Sequence, residues 1–121
     1  MFVKKFRECE PFIANDGCLI RELLHPKNDP YELPYSIAYA QVVAGKHTYK
    51  HLLKQTEVYF IISGQGQMHI NEEEQDVSTG DTIYIPENST QWLANTGREP
   101  LVFLAIVNPP WNEADDIRLE T

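Results

Sequence analysis

Long apolar runs are missing from this chain of 121 residues. No stretch approaches the roughly 18 consecutive apolar residues of a membrane-spanning helix. The start, Met1 to Pro11, carries charges with no apolar segment behind them, so neither a signal peptide nor an anchor is expected and the protein reads as cytoplasmic. Cysteine is scarce. Cys9 and Cys18 are the only two, which excludes a disulfide scaffold or a zinc knuckle and points to reduced, structural thiols. Positive charge is short as well: 10 Lys and Arg stand against 18 Asp and Glu, a net charge of −8. Nucleic acid and anionic membrane are therefore poor partners, because both need a basic surface that displaces counterions from phosphates. No G-x-S-x-G elbow, P-loop, dinucleotide fingerprint or CxxC pair occurs, so the common hydrolase, kinase, Rossmann and thioredoxin-like chemistries have no foothold.

Between Ser36 and Val107, short β-branched and aromatic runs are cut by turn residues every eight to twelve positions, the pattern of an all-β sandwich or barrel. Strands are predicted over Ile37 to Ala44, Thr48 to Leu53, Glu57 to Ser63, Gln67 to Ile70, Gln75 to Ser78, Thr82 to Ile85, Thr90 to Asn95 and Leu101 to Val107. Each break holds Gly, Pro, Asn or Asp, as tight turns demand. Residues 1–34 form an arm, with a turn at Asn15-Asp16-Gly17 and a strand over Cys18 to Leu23 that extend the sheet edge; 35–108 form the core; 109–121 form a tail in which Trp111 caps a barrel end or packs at an interface. The acidic clusters, Glu72 to Glu74 and Glu113 to Glu120, read as a solvated turn and a solvated tail.

Two glycine-anchored blocks stand out: Gly45-x11-Glu57-x6-Gly64, and Gly80-x5-Pro86-x-Asn88-x2-Gln91-x3-Asn95. Their spacing resembles the paired signatures of the cupin family, G-x5-HxH-x3/4-E-x6-G followed by G-x5-PxG-x2-H-x3-N. The resemblance implies a double-sheet jelly-roll barrel and a homodimer. It also places His51, Leu53, Glu57 and Gln91 at the four metal-ligand positions of the family. Two of those four are changed, since Leu53 and Gln91 stand where histidines are expected.

Strand alternation puts Tyr49, His51 and Leu53 on one side and Glu57, Tyr59 and Ile61 on one side of the next strand. His51, Glu57 and Gln91 are the candidate metal ligands. One imidazole, one carboxylate and one amide oxygen form a lean shell for Fe(II), Mn(II), Ni(II) or Zn(II). The same three can instead satisfy one another as a buried polar cluster. Glu57, as a general base if burial raises its pKa, and Tyr59, as a hydrogen-bond donor or acid, are the candidate catalytic residues. His25, His47 and His69 could complete a shell, and His25 is the first to inspect because its loop can fold over the barrel. Two functions follow: a metal-dependent small-molecule enzyme of isomerase, epimerase or dioxygenase type, or a metal-free module that binds a small metabolite.

Overall fold

A computed structural model describes residues 1–120. Eleven strands form two antiparallel sheets that face each other. The first is ordered β1 (Phe12–Ile13), β2 (Leu19–Leu24), β3 (Ser36–Val42), β10 (Leu101–Asn108), β5 (Thr56–Ser63) and β8 (Thr82–Ile85). The second is ordered β11 (Asp116–Arg118), β4 (His51–Leu53), β9 (Ser89–Asn95), β6 (Gln65–Ile70) and β7 (Glu73–Ser78). From β3 onward the chain alternates between the sheets, apart from the β6–β7 hairpin, which is the jelly-roll layout that the sequence pattern leads one to expect. Among the described residues no helix is long and apolar enough to cross a membrane.

Alternation decides which side chains face inward. Along β9, Ser89, Gln91, Leu93 and Asn95 are buried while Thr90, Trp92 and Ala94 are only half-buried. The inward residues of β3, β5, β9 and β10 meet in a core containing Ala40, Ile61, Leu93, Leu101 and Phe103. Each of the larger ones contributes about 1.5–3 kcal/mol by leaving water. The buried Asn95 fastens one sheet to the other. Its Nδ2 donates to the carbonyls of Val42 (3.0 Å) and Glu99 (2.8 Å), and its Oδ1 accepts from Gly97 N (2.9 Å). The last residue of the second block is thus a structural tie.

Gly64 and Gly66 meet the bend that their spacing foretells, by two different means. Gly64 has φ +99°, a region that side chains rarely adopt. Gly66 lies flat against β9, where an added Cβ would sit 2.4 Å from the Ala94 carbonyl oxygen. Asn88 occupies the place of the glycine in the family's P-x-G and adopts φ 60°, which asparagine tolerates better than most residues.

Three expectations need correction. The predicted strand from Thr48 starts only at His51, because Tyr49 N is drawn out of register to donate to the Asp16 carbonyl. His51 and Leu53 still share the inner face, but Tyr49 lies at the rim under the Arg118 guanidinium. The tail is not simply solvated. After a short 3-10 turn at Glu113–Asp115, capped by the Asn112 side chain on Ala114 N, it returns as β11 along the free edge of β4. Finally, Asp116 within that tail is buried in the barrel mouth, its side chain only 7% exposed.

Candidate functional site

The site lies where β4 and β9 of one sheet face β5 of the other. His51 and Gln91 are direct register partners, so their side chains stand side by side on the inner face. Glu57 and Tyr59 occupy alternate inward positions of β5 opposite them. The face parity read from the sequence therefore brings all four candidates together, and all four are buried.

Two residues that sequence reasoning passed over complete the group. Asp116 Oδ1 accepts from His51 Nδ1 at 2.7 Å, and Asp116 Oδ2 accepts from Trp111 Nε1 at 3.0 Å. This fixes the Asp116 carboxylate, and through it the imidazole: Nδ1 carries the proton given to Asp116, and Nε2 points onward without a hydrogen-bonded partner. Asp16 approaches from the arm, with Oδ2 3.9 Å from His51 Nε2. Its own position is set by a tight turn in which Oδ1 accepts from Cys18 N (3.0 Å) and Gly17 takes φ +86°.

These carboxyls shape the protonation of the site. Burial alone would drive His51 toward neutrality, but the hydrogen bond to Asp116 and the charges of Asp16, Asp116 and Glu57 outweigh it and raise its pKa. Glu57 is pushed up to about 8, first by burial; the His51 charge opposes that rise while Asp16 and Asp116 add to it. Asp16 is raised as well, by burial, against the pull of His51. The mouth thus favours an imidazolium facing a protonated Glu57. Tyr59 is no ready acid. Its hydroxyl donates to Gln91 Oε1 at 3.1 Å, and burial followed by the Glu57 charge pushes its pKa well above the ordinary phenolic value. Gln91 Nε2 and Glu57 Oε1, like His51 Nε2, are buried with no partner at full hydrogen-bond distance, although the Gln91 amide lies close enough to Glu57 to oppose slightly the rise in its pKa.

A cavity of about 70 Å³ opens beside His51, Glu57 and Tyr59. Its remaining wall is chiefly apolar, with Ile20, Ala38, Leu53, Phe103 and Val107 from the barrel and Phe12 and Trp111 toward the outside. Phe12, Ala14, Glu22 and Trp111 also line a neighbouring surface groove reaching Lys27 and Arg118. Gln91 does not touch the cavity and stands behind Tyr59. Polar atoms lacking partners at the end of an apolar pocket are the usual mark of a small-molecule site.

The other histidines lie elsewhere. His25 is buried, but its Nε2 is 2.8 Å from the Trp111 carbonyl and its Nδ1 accepts from Lys27 N, so it fastens the tail to the arm. His47 and His69 flank Trp92 on the outside of the second sheet, with the His69 ring stacked at 3.6 Å and 4°.

Residues 39–107, more than half of the chain, match the family described as the Cupin domain. The chain is a cupin. An uncharacterized protein of Methanocaldococcus jannaschii is 38% identical to it over 118 residues, 96% of this chain and 93% of the relative. An oxalate-binding protein of Thermotoga maritima is 31% identical over 51 residues, 42% of each chain. Among solved structures, a Cupin 2 conserved barrel domain protein from Salinispora arenicola superposes with TM-score 0.76 at 16% identity, covering 94% of this chain and 91% of that one. Oxalate decarboxylase of Bacillus subtilis, a protein with Mn(II) centres, superposes with TM-score 0.81 at 25% identity, covering 94% of this cupin and 31% of that chain.

The residues present in this cupin do not fit the metal implied by the resemblance. Among the described residues no three His, Cys, Asp or Glu side chains are gathered so as to hold an ion. At the four family positions, Leu53 offers no donor, and the Gln91 amide oxygen already accepts from Tyr59. The expected shell of His51, Glu57 and Gln91 is therefore short of donors, and His51 stands instead among the carboxyls of Asp116, Asp16 and Glu57.

Proposed function

We propose that this cupin is a small-molecule enzyme of the isomerase or epimerase type, working by acid–base chemistry at the barrel mouth. The observation that carries this reading is the Asp116–His51 hydrogen bond of 2.7 Å, which leaves His51 Nε2 unpartnered beside a cavity that Glu57 also lines. An oriented imidazolium is a hydrogen-bond donor for a carbonyl oxygen whose charge grows during reaction. Glu57, with a pKa near 8, is matched to taking and returning a proton near neutral pH. In the proposed step the Glu57 carboxylate removes a proton from the carbon beside the carbonyl, the electron pair moves to oxygen as an enolate, and His51 Nε2–H stabilises it. Return of the proton from Glu57 to the same carbon gives hydrogen exchange; with a β,γ-unsaturated carbonyl, its delivery to the γ carbon of the dienolate moves the double bond into conjugation and completes an isomerisation, whereas an epimerisation needs a second proton donor on the opposite face. Gln91 and Tyr59 act from behind, as positioning residues.

The test is exchange of α-hydrogen for deuterium in small ketones, followed by NMR in D2O. Wild type should exceed buffer, with a rate that rises with pH through about 8. His51→Gln should lose about 10²–10⁴-fold. Exchange at the buffer rate by wild type overturns the enzymatic reading; ketone binding without exchange would favour the metal-free metabolite-binding module instead.

For assembly we propose a homodimer. Support comes from the outer face of the first sheet, where Leu104 lies between Tyr39 and Phe60, and Ile106 between Ile37 and Val58, with Tyr84 beyond. Phe60, Ile62 and Tyr84 are exposed there.

A further inference from the structure

We infer that residues 111–120 form a gate over the barrel mouth, and that a ligand enters by displacing this tail. The inference rests on the barrel-mouth site proposed above and concerns how that site is reached. The cavity of about 70 Å³ is small beside the roughly 300–1,000 Å³ of ordinary small-molecule pockets. His51 Nε2 and Glu57 Oε1 have essentially no accessible surface. No ligand touches either atom until something moves. The strands that carry the site are held in place: β4, β5 and β9 each pair on both sides, and their inward residues His51, Leu53, Glu57, Tyr59 and Gln91 are buried. Movement is left to the two segments that cross the mouth, the arm with Phe12 and Asp16 and the tail with Trp111 and Asp116.

The arm is anchored by packing. Cys18, just beyond Asp16, is 1% exposed in the core, and β2 runs on from it along β3. From Trp111 to Glu120, by contrast, no apolar residue is fully buried, and Ile117 and Leu119 are 42% and 46% exposed. Hydrogen bonds hold the tail instead. Besides the β11–β4 pairing, Lys54 N donates to the Asp115 carbonyl (3.0 Å), Leu119 N to the Lys50 carbonyl (2.8 Å) and Asn15 Nδ2 to the Asp116 carbonyl (3.2 Å), while Trp111 N donates to Ser36 Oγ (2.9 Å) and the Trp111 carbonyl meets His25 Nε2 (2.8 Å). Water can replace bonds of this kind at an exposed edge, so the tail opens locally more readily than a packed strand. Gln55 Nε2 donates to the Pro110 carbonyl at 2.9 Å and fixes the chain just before the gate begins. Trp111 Nε1 and Asp116 Oδ2, 3.0 Å apart, join the gate's two inward groups, so they leave together. Two consequences follow. Trp111 lines both the cavity and the neighbouring groove, and its departure removes a wall the two share. Asp116 is drawn off His51 Nδ1 by the same movement, so closing over a ligand and orienting the imidazole are one event.

A reversible lock tests the gate. Leu52 and Ile117 are register partners whose side chains alternate away from the site, and such partners have Cα atoms about 4.5–5.5 Å apart, within reach of a disulfide. Oxidised Leu52→Cys/Ile117→Cys pins the tail shut, and reduction followed by desalting releases it. Diethyl pyrocarbonate, which acylates imidazole nitrogen, is the probe, with its attachment to each histidine followed by mass spectrometry at one pH. His51 should react on the order of tenfold to a hundredfold more slowly in the oxidised form, while His47 and His69, on the outside of the second sheet, should react equally in both. Equal rates at His51 in the two forms, or no reaction there in the reduced form, overturn the inference. Should the variant fail to fold, native-state hydrogen exchange of the wild type decides. The Lys54 and Leu119 amides should exchange on the order of a hundredfold faster than those of Phe103 and Ala105 in β10, and exchange of all four only through global unfolding overturns the gate. Deuterium exchange into ketones tests the site itself, so its absence from a protein whose lock protects His51 removes the proposed reaction and leaves the gate standing.

Discussion

Replacing Asp116 by Asn keeps the shape of the side chain and removes its charge, which makes it the sharpest test of the His51 dyad. Asp116 accepts two hydrogen bonds, from His51 Nδ1 at 2.7 Å and from Trp111 Nε1 at 3.0 Å. An amide has one oxygen to offer and its nitrogen can only donate, so one of the two bonds must be lost. A hydrogen bond to a charged partner contributes about 1.5–3 kcal/mol. One pKa unit corresponds to about 1.4 kcal/mol, so the His51 pKa should fall by about 1–2 units in Asp116→Asn. Asp16, at 3.9 Å on the other nitrogen, preserves part of the elevation. The sign for stability follows from linkage. Because His51 has a raised pKa in the folded protein, its contribution is fully present below the unfolded value of about 6.5 and is lost as pH rises through the folded value. Asp116→Asn should therefore cost more stability near pH 5.5 than near pH 9. NMR titration of the His51 Cε1–H signal, with denaturant unfolding at both pH values, measures both effects. A His51 pKa unchanged by the substitution would refute the claim that Asp116 governs this imidazole.

Three further outcomes are expected. Glu57→Gln should be nearly neutral near pH 5 and stabilising near pH 9, by up to about 5 kcal/mol. The raised pKa means that wild type loses stability as pH climbs from about 4.5 to about 8, whereas Gln has no charge to bury; equal urea midpoint differences at the two pH values would contradict this. Dialysis against Fe(II), Mn(II), Ni(II) or Zn(II), followed by desalting and elemental analysis, should leave far less than one equivalent bound, and near-stoichiometric metal lost in His51→Ala would overturn the donor-set argument. Phe60→Asp, which puts a charge on the apolar outer face, should convert a sedimenting dimer into a monomer, and a wild type that already sediments as a monomer removes that proposal.

The barrel was legible because it depends on local signals. Turn residues at regular spacing and inward alternation in β5, β9 and β10 survive any choice of chemistry, and they brought His51, Glu57, Tyr59 and Gln91 to one place. Asp116 and Asp16 were not legible for the opposite reason. Asp116 lies among the acidic residues of a tail, and its partner is 65 positions away. Nothing local marks the edge of β4 as the place where the tail returns. Asp16, in an Asn-Asp-Gly turn, has a sufficient explanation in the turn itself, and its second role emerges only when the arm folds across His51. The departures at Leu53 and Gln91 were visible from the start. What they led to was not, because a missing ligand says nothing about which residues take up the charge.

That charge balance ties the changes together. A metal would bring positive charge to the mouth and allow Glu57 to remain ionised. Here Leu53 is 1% exposed and packs in the barrel as an apolar side chain, while Gln91 spends its oxygen on Tyr59. His51 is then the only cation among three nearby carboxyls, Asp16, Glu57 and Asp116. It cannot neutralise all of them, and Asp116 holds it most closely. Glu57, the most deeply desolvated, answers by keeping its proton. Burial first, and then the charges of Asp16 and Asp116, raise the Glu57 pKa, while Leu53 and Gln91 withhold the two imidazoles that the family positions would supply beside it.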